Sequence, residues 1–212
     1  DQDDIWHPDK LESQLKILTE REAVTGAAIP LLVHSDLTVV DEDLRLIHRS
    51  FLVAQRLDAD RGTPVRMLLA QNFVTGCTMV INRSLLRISL PLPDVLMHDW
   101  WLALCASALG EIIRCPRPTV LYRQHARNAA GSRASSQAII DAARHPFRWW
   151  RRSRAAFSAA ILQACALAER IERESGASPS SASSLATLRA YCSVFAIDAS
   201  GLQRLRSIRR QG

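Results

Sequence analysis

The stretch from Ile29 to Ile47, IPLLVHSDLTVVDEDLRLI, decides the fold class of this 212-residue chain. It contains two short apolar runs that are separated by polar and acidic turn-forming residues. Short apolar runs bounded in this way are typical of β-strands. The stretch therefore predicts a strand followed by a hairpin-like excursion.

Helical and extended patterns alternate on both sides of this stretch. Leu11, Leu15 and Leu18 have helical spacing and follow Pro8, which suits the first turn of a helix. Further along, the patterns predict short helices for 64–71, 83–93 and 98–110, a strand with a glycine interruption for 72–82, and two strands within 111–125. This alternation predicts an α/β domain that extends to about residue 125.

The composition changes after about residue 131. Residues 147–174 have an amphipathic pattern, and 185–197 predict a second helix after SGASPSSASS, which we interpret as a flexible break. The apolar face of the first helix contains Phe157, Ile161, Ala164, Ala168 and Ile171. We therefore expect a domain at 1–131 and a basic helical extension at 132–212.

The overall composition is that of a globular protein, with 48% hydrophobic and 23% charged residues. No apolar run is long enough to cross a bilayer and no signal peptide is visible, so we expect a cytoplasmic protein. The five cysteines are scattered and lack metal-site spacing. We expect them to be reduced core residues, in agreement with a cytosolic setting.

Charge is distributed unevenly along the chain. Residues 1–60 have a formal balance of −7 and the remainder has +13, and 25 of the 27 basic residues are arginines. Because arginine binds phosphate through a planar fork, anionic partners are one interpretation, and GC-rich coding is another. A nucleic-acid-binding module is a competing function, but the basic residues are dispersed and no recognised motif accompanies them, so no nucleic-acid partner is expected.

Three short motifs are candidates for chemistry. Asp1, Asp3 and Asp4 offer adjacent carboxylate oxygens, which suit Mg²⁺ or Mn²⁺, although an acidic helix N-terminus has the same pattern. Asp99, in MHDWWLAL, is either a helix N-cap or a general base whose proton affinity is raised by an aromatic wall. His125 follows a predicted strand, where a neutral imidazole can complete a metal site.

Five segments in order resemble family-2 glycosyltransferases, most closely the bacterial branch labelled rhamnosyltransferases. They are DQDDIWHPDKL, LVHSDLTVVDEDL, NFVTGCTMVINRSLL, MHDWWLAL and TVLYRQHARNAAG, which lie within residues 1–131. The resemblance implies a GT-A fold and an inverting transfer from a nucleotide-diphosphate sugar, such as dTDP-rhamnose. The implied acceptor is a glycan or lipid-linked saccharide used in cell-surface polysaccharide biosynthesis.

The resemblance also implies roles for individual residues. The metal-binding D-x-D motif falls on Asp1 and Asp3, and His125 helps to hold the Mn²⁺ or Mg²⁺. The base that deprotonates the acceptor hydroxyl falls on Asp99. The residues expected to contact substrates are Asp4, Trp6, Gly76, Cys77, His98 and Trp100.

Members of this family have a nucleotide-binding segment before the D-x-D motif, and this sequence begins at the motif. We therefore expect a partial GT-A domain that binds nucleotide sugar poorly by itself, because ligands of α/β sheets bind at the carboxyl ends of the central strands. An inactive truncated remnant is the alternative. FRWWRRSR, within 147–174, predicts peripheral contact with the inner face of the cell membrane, and a helix packed on the catalytic domain is the other interpretation.

Overall fold

A computed structural model describes residues 3–57, 63–93, 97–124, 146–173 and 179–194. In chain order its elements are β1 (Ile5–Trp6), α1 (Lys10–Thr25), β2 (Leu31–His34), β3 (Leu37–Val40), β4 (Leu46–His48), α2 (Phe51–Ala54), α3 (Pro64–Ala70), a 3₁₀ turn (Gly76–Thr78), β5 (Met79–Ile81), α4 (Arg83–Ser89), α5 (His98–Leu109), β6 (Glu111–Arg114), β7 (Val120–Arg123), α6 (Pro146–Arg173) and α7 (Pro179–Val194). The predicted α/β class is confirmed.

The strands form two mixed sheets. The first has the order β1-β7-β3-β4 and the second has the order β5-β2-β6. The pairs β2 with β6 and β3 with β7 are parallel, and the other three pairs are antiparallel. Residues 31–40 and 111–123 therefore run side by side through both sheets.

Strand β2 separates two layers of apolar side chains. Leu32 belongs to the main core, whereas Leu31 and Val33 pack with Leu18 of α1. Successive side chains of a strand point to opposite faces, so the continuous apolar run LLV covers both layers at once. This explains why the stretch that begins at Ile29 lacks the alternation of a half-exposed strand.

Helix α5 is the centre of the main core. Nine of its twelve residues are buried, and its two tryptophans use their indole N–H groups to hold neighbouring helices. Trp100 donates to the Leu68 carbonyl of α3 over 2.6 Å, and Trp101 donates to the Ser89 carbonyl of α4 over 3.0 Å. A buried indole whose N–H is satisfied packs a large apolar surface without an unpaired donor. These bonds fix the start of α5, where the candidate base lies.

Asp36 joins the two sheets to helix α2. It is 5% exposed, and its carboxylate accepts hydrogen bonds from the backbone N–H groups of Leu37, Phe51 and Leu52 at 2.8 to 3.2 Å. The Ser50 hydroxyl donates to the same carboxylate. The first N–H groups of a helix have no partner within it, so this carboxylate satisfies the start of α2 from outside.

Helices α6 and α7 pack on the α/β unit and share its core. Ala164, Leu167 and Leu188 are all fully buried in the main cluster. Arg170 donates 2.7 Å hydrogen bonds to the carbonyls of Ile88 and Pro91. The predicted amphipathic face of α6 is confirmed at Ile161, Ala164, Ala168 and Ile171, which are buried. The predicted boundary at residue 131 lies outside the described residues.

Three local expectations are wrong. The strand predicted for 72–82 is limited to Met79–Ile81, because the Asn72 side chain bonds both the N–H and the C=O of Val74 and so competes with strand pairing. The break predicted at 175–184 already contains α7 from Pro179, whose fixed φ suits a first helical turn. The cysteines are not all reduced: a disulfide joins Cys165 of α6 to Cys192 of α7.

In the described ranges, none of the helices combines the length and the apolar character that a membrane span requires.

Candidate active site

Asp99 lies in the first turn of α5 and is 3% exposed. Its Oδ1 accepts hydrogen bonds from the backbone N–H of Trp100 at 2.7 Å and from the Asn72 side-chain amide at 3.3 Å. Its Oδ2 accepts one from the backbone N–H of Gly76 at 2.9 Å. Burial raises the pKa of Asp99, and the two backbone donors and the nearby His98 oppose that increase. The carboxylate is therefore a firmly oriented group with increased basicity.

Gly76 brings the backbone close to this carboxylate. A Cβ at that position would stand 3.1 Å from Nε2 of His98 and 3.5 Å from Oδ2 of Asp99. The first distance is tighter than ordinary carbon contacts, so a side chain would displace the exposed imidazole. Glycine thus lets the backbone N–H of this turn approach Oδ2 while the imidazole of His98 keeps its position.

The acidic segment meets the same turn from the opposite side. The Cys77 thiol donates a hydrogen bond to the Asp4 carboxylate. Burial first, and then the charge of Asp4, raise the pKa of this thiol to about 11. Oδ1 of Asp4 also accepts from the backbone N–H of Arg123 at 3.4 Å. A thiol with such a pKa is protonated at neutral pH, so Cys77 is a donor here and not a nucleophile.

These contacts define one cluster of predicted site residues. We call Asp4, Gly76, Cys77, His98 and Asp99 the Asp4–Asp99 cluster. The residues come from the segment before β1, the 3₁₀ turn and the start of α5. The structure therefore brings together five of the ten residues that the sequence singles out.

Trp6 lies next to this cluster on the surface. Its side chain is 51% exposed, and Nζ of Lys10 lies 4.3 Å from the centre of its ring. Lys10 itself is buried and donates to Gln14, whose amide donates to the Thr78 carbonyl over 2.6 Å. Burial lowers the pKa of Lys10. These contacts fix the exposed indole relative to the 3₁₀ turn that contains Gly76 and Cys77.

The remaining predicted site residues lie elsewhere or are not described. Trp100 is buried in the main core with its N–H bound to α3, so its position is that of a packing residue. Asp3 precedes β1 beside Asp4, whereas Asp1 and His125 lie outside the described residues. Over the described ranges, no three His, Cys, Asp or Glu side chains group as metal ligands. The predicted metal set of Asp1, Asp3 and His125 remains a prediction.

Two alternatives raised by the sequence are resolved. Asp3 and Asp4, the described part of the acidic segment, do not begin a helix: β1 follows them, and α1 begins only at Lys10. The N-cap of α5 is Met97, and Asp99 is the second residue of that helix. The N-cap interpretation of Asp99 is therefore wrong, and its second oxygen is bound across the fold to Gly76.

Sequence reasoning missed two residues that support the site, Asn72 and Lys10. Asn72 stands before an apolar run, a position typical of side-chain hydrogen bonds to nearby backbone, so a signal was present. Lys10 follows the proline–aspartate start of α1 and has the pattern of a solvated helical lysine. Only the aromatic ring of Trp6 four residues earlier hints at its burial.

Comparisons of the chain with protein-family models, with curated proteins and with solved structures found no match.

Proposed function

We propose that this chain is part of an inverting family-2 glycosyltransferase with a GT-A fold, which transfers a sugar from a nucleotide-diphosphate donor to a glycan or lipid-linked acceptor. One observation carries the proposal. Asp4 and Asp99, which are 95 positions apart, contact adjoining residues of one turn, Asp4 at Cys77 and Asp99 at Gly76. Such a reaction needs carboxylates that hold a metal ion for the donor diphosphate and a separate carboxylate for the acceptor.

Asp99 has the properties of the acceptor base. A sugar hydroxyl is a weak nucleophile until a base takes its proton, and a base works best when its pKa approaches the working pH. Burial moves the pKa of Asp99 in that direction. Its Oδ2 accepts a single hydrogen bond from the described residues, the one from Gly76, so this oxygen keeps capacity to accept another. A carboxylate held by three N–H donors also keeps its orientation when the hydroxyl arrives.

Asp3 and Asp4 supply the acidic side of the proposed site. Their carboxylate oxygens are of the hard type that Mg²⁺ and Mn²⁺ prefer, so in this proposal Asp3 holds such an ion beside Asp4, with Asp1 and His125 as the further ligands implied by the resemblance. When bound, the ion would neutralise charge on the departing diphosphate. The contact of Asp4 with Cys77 sets the spacing between this side and the base.

Trp6 is the proposed stacking surface for a sugar ring. Half of its surface is exposed, and the buried ammonium of Lys10 contacts the ring and limits its motion. Aromatic faces bind the apolar face of a sugar through dispersion and burial of C–H groups. This assignment leaves Trp100 in a structural role.

The experiment that tests the proposal uses the full gene product with a panel of nucleotide-diphosphate sugars and Mn²⁺. Transfer is followed by release of nucleoside diphosphate in the presence of membrane lipid extract as the source of acceptors. We expect Asp99→Asn to reduce turnover by a factor of about 10² to 10⁴, the usual contribution of a general base. Binding of the donor, measured by calorimetry, should change little.

Asp43→Asn is the matched control, because Asp43 is an exposed carboxylate in the hairpin before β4. It should retain the activity of the natural protein. Far-ultraviolet circular dichroism checks that both variants are folded. If the Asp99 variant is folded and fully active, Asp99 is not the base; if no donor is turned over, the proposal of an active transferase is wrong.

A further inference from the structure

An exposed face of α4 combines leucine and arginine side chains. Leu86 and Leu90 are 46% and 51% exposed, and Arg83 and Arg87 are exposed on the same helix. Positions 83, 86 and 87 follow helical spacing, so their side chains share one face, and Leu90 is the residue directly after the helix. The opposite face, with Leu85 and Ser89, is fully buried in the fold.

The apolar character continues beyond the helix. Leu92 is 47% exposed, and Met97, on the other side of residues 94–96, is 41% exposed. We call Arg83, Leu86, Arg87, Leu90 and Leu92 the α4 surface. Large apolar side chains scattered singly are ordinary on a protein surface, but several neighbouring ones mark an interaction site.

The α4 surface is held in a fixed position. The Arg170 guanidinium donates to the carbonyls of Ile88 and Pro91, which lie between the exposed leucines, and it stacks 5.2 Å from the centre of the buried Trp101 ring. Two hydrogen bonds and a ring contact fix the turn after α4. The exposed leucines are therefore presented by a rigid base, so binding does not require ordering the backbone of a loop.

Charge identifies the partner of this surface. Arg83 and Arg87 flank the leucines, and Asp94 is the only acidic residue between Asn82 and His98 in the sequence. A surface of leucines with arginines at their edge matches an anionic bilayer, because the apolar side chains enter the headgroup boundary while the guanidinium groups bind phosphate. We propose that the α4 surface binds the surface of an anionic membrane.

This surface adjoins the helix that contains the candidate base, because Trp101 of α5 donates to the Ser89 carbonyl of α4. Met97 is the N-cap of α5, and His98 and Asp99 follow it. Docking through the α4 surface would therefore bring the acceptor side of the cluster close to the bilayer, where a lipid-linked acceptor is available. That consequence rests on the proposed function, whereas binding to the membrane does not.

The test measures cosedimentation of the full gene product with vesicles, without donor or acceptor. Vesicles of phosphatidylglycerol and phosphatidylcholine are compared with vesicles of phosphatidylcholine alone. We expect binding to the anionic vesicles, and we expect Leu86→Ser with Leu90→Ser to weaken it at least about tenfold, since each leucine buries an apolar side chain. Arg83→Gln with Arg87→Gln should weaken binding to anionic vesicles by about tenfold or more and leave the weak binding to neutral vesicles unchanged.

The control replaces two exposed apolar side chains elsewhere, Leu46→Ser in β4 and Val53→Ser in α2, which are 52% and 75% exposed. Binding should remain at the level of the natural protein. Three results would overturn the proposal: no binding to anionic vesicles, equal loss in the control, or unchanged binding in the α4 variants, which would assign it to another region such as 147–174. Dimers that the leucine variants dissociate, without vesicle binding, would instead identify a second copy as the partner.

Discussion

Gly110 ends α5 at a point where the chain leaves no space for a side chain. A Cβ there would stand 1.8 Å from the carbonyl oxygen of Pro30 and 2.7 Å from its carbonyl carbon. The same oxygen accepts the backbone N–H of Glu111 at 2.9 Å, directly before the parallel pairing of Leu31 with Glu111. Gly110→Ala should therefore separate the starts of β2 and β6.

The loss of stability in Gly110→Ala depends on how far the Pro30 carbonyl must move. Relieving the contact requires the Pro30 carbonyl to shift by more than about an ångström, which stretches or breaks the hydrogen bond to Glu111. An unmade hydrogen bond of this kind costs about 1–3 kcal/mol. Forcing an extra carbon into a packed interior costs roughly another 1–3 kcal/mol. Gly110→Ala should thus lower the free energy of unfolding by about 2–6 kcal/mol.

The assay is urea unfolding followed by far-ultraviolet circular dichroism, with Gly26→Ala as the matched control. Gly26 also follows a helix, but an added Cβ there meets no atom within 4 Å. Its φ of +89° makes the control costly by only about 1–2 kcal/mol of backbone strain. If Gly110→Ala is no more destabilising than Gly26→Ala, the close approach to Pro30 is not a constraint on the fold and the reasoning fails.

Three further predictions concern single contacts. Asp36→Ala should lower the free energy of unfolding, measured by urea titration, by about 3 kcal/mol or more, because it leaves several backbone N–H donors without a partner. A loss no larger than that of an ordinary surface substitution would contradict the role of Asp36 in capping α2. The disulfide between Cys165 and Cys192 predicts that three of the five cysteines react with a thiol reagent in denaturant without reductant, and five reactive thiols would refute it. With a sequence separation of 27 between the two cysteines, reduction should cost about 3.5 kcal/mol of stability by the loop-entropy model. Asn72→Ala removes a hydrogen-bond donor to the Asp99 carboxylate, so the pKa of Asp99 should rise further. The acidic limb of the plot of transfer rate against pH should then move to higher pH. An unchanged plot would mean that Asn72 does not act through Asp99.

Patterns in the sequence predict the elements whose stability is local. The start of α3 at Pro64 follows from the backbone preference of proline, and glycine is a common helix stop, so the sequence predicts both this start and the end of α5 at Gly110. The close approach of Pro30, which is the physical reason for Gly110, is not visible in the sequence. Helix α6 was predicted because its apolar face repeats at helical spacing. The type of each of these elements follows from a window of a few residues.

The docking of α6 and α7 could not be predicted in the same way. An amphipathic face indicates that something covers it and does not identify the partner. In the structure α6 and α7 pack against α3, α4 and α5. Specific polar contacts, such as the hydrogen bond from Arg170 to the Ile88 carbonyl, fix the position of α6 on these helices. Because these contacts join residues about 80 positions apart, no local window contains them.

In the candidate site, too, the sequence predicts single residues but not the long-range contacts that bring them together. Sequence motifs identified Asp4, Gly76 and Asp99 as separate candidates, each with an ordinary structural alternative. What favours the chemical interpretation is their convergence, because Gly76 donates to Asp99 while its neighbour Cys77 donates to Asp4. Burial raises the pKa of Asp99 although three N–H donors hold its carboxylate, and a raised pKa is what a general base needs. That remaining proton affinity, held beside the one residue of the turn that has no side chain, is what the proposed transfer requires of its base.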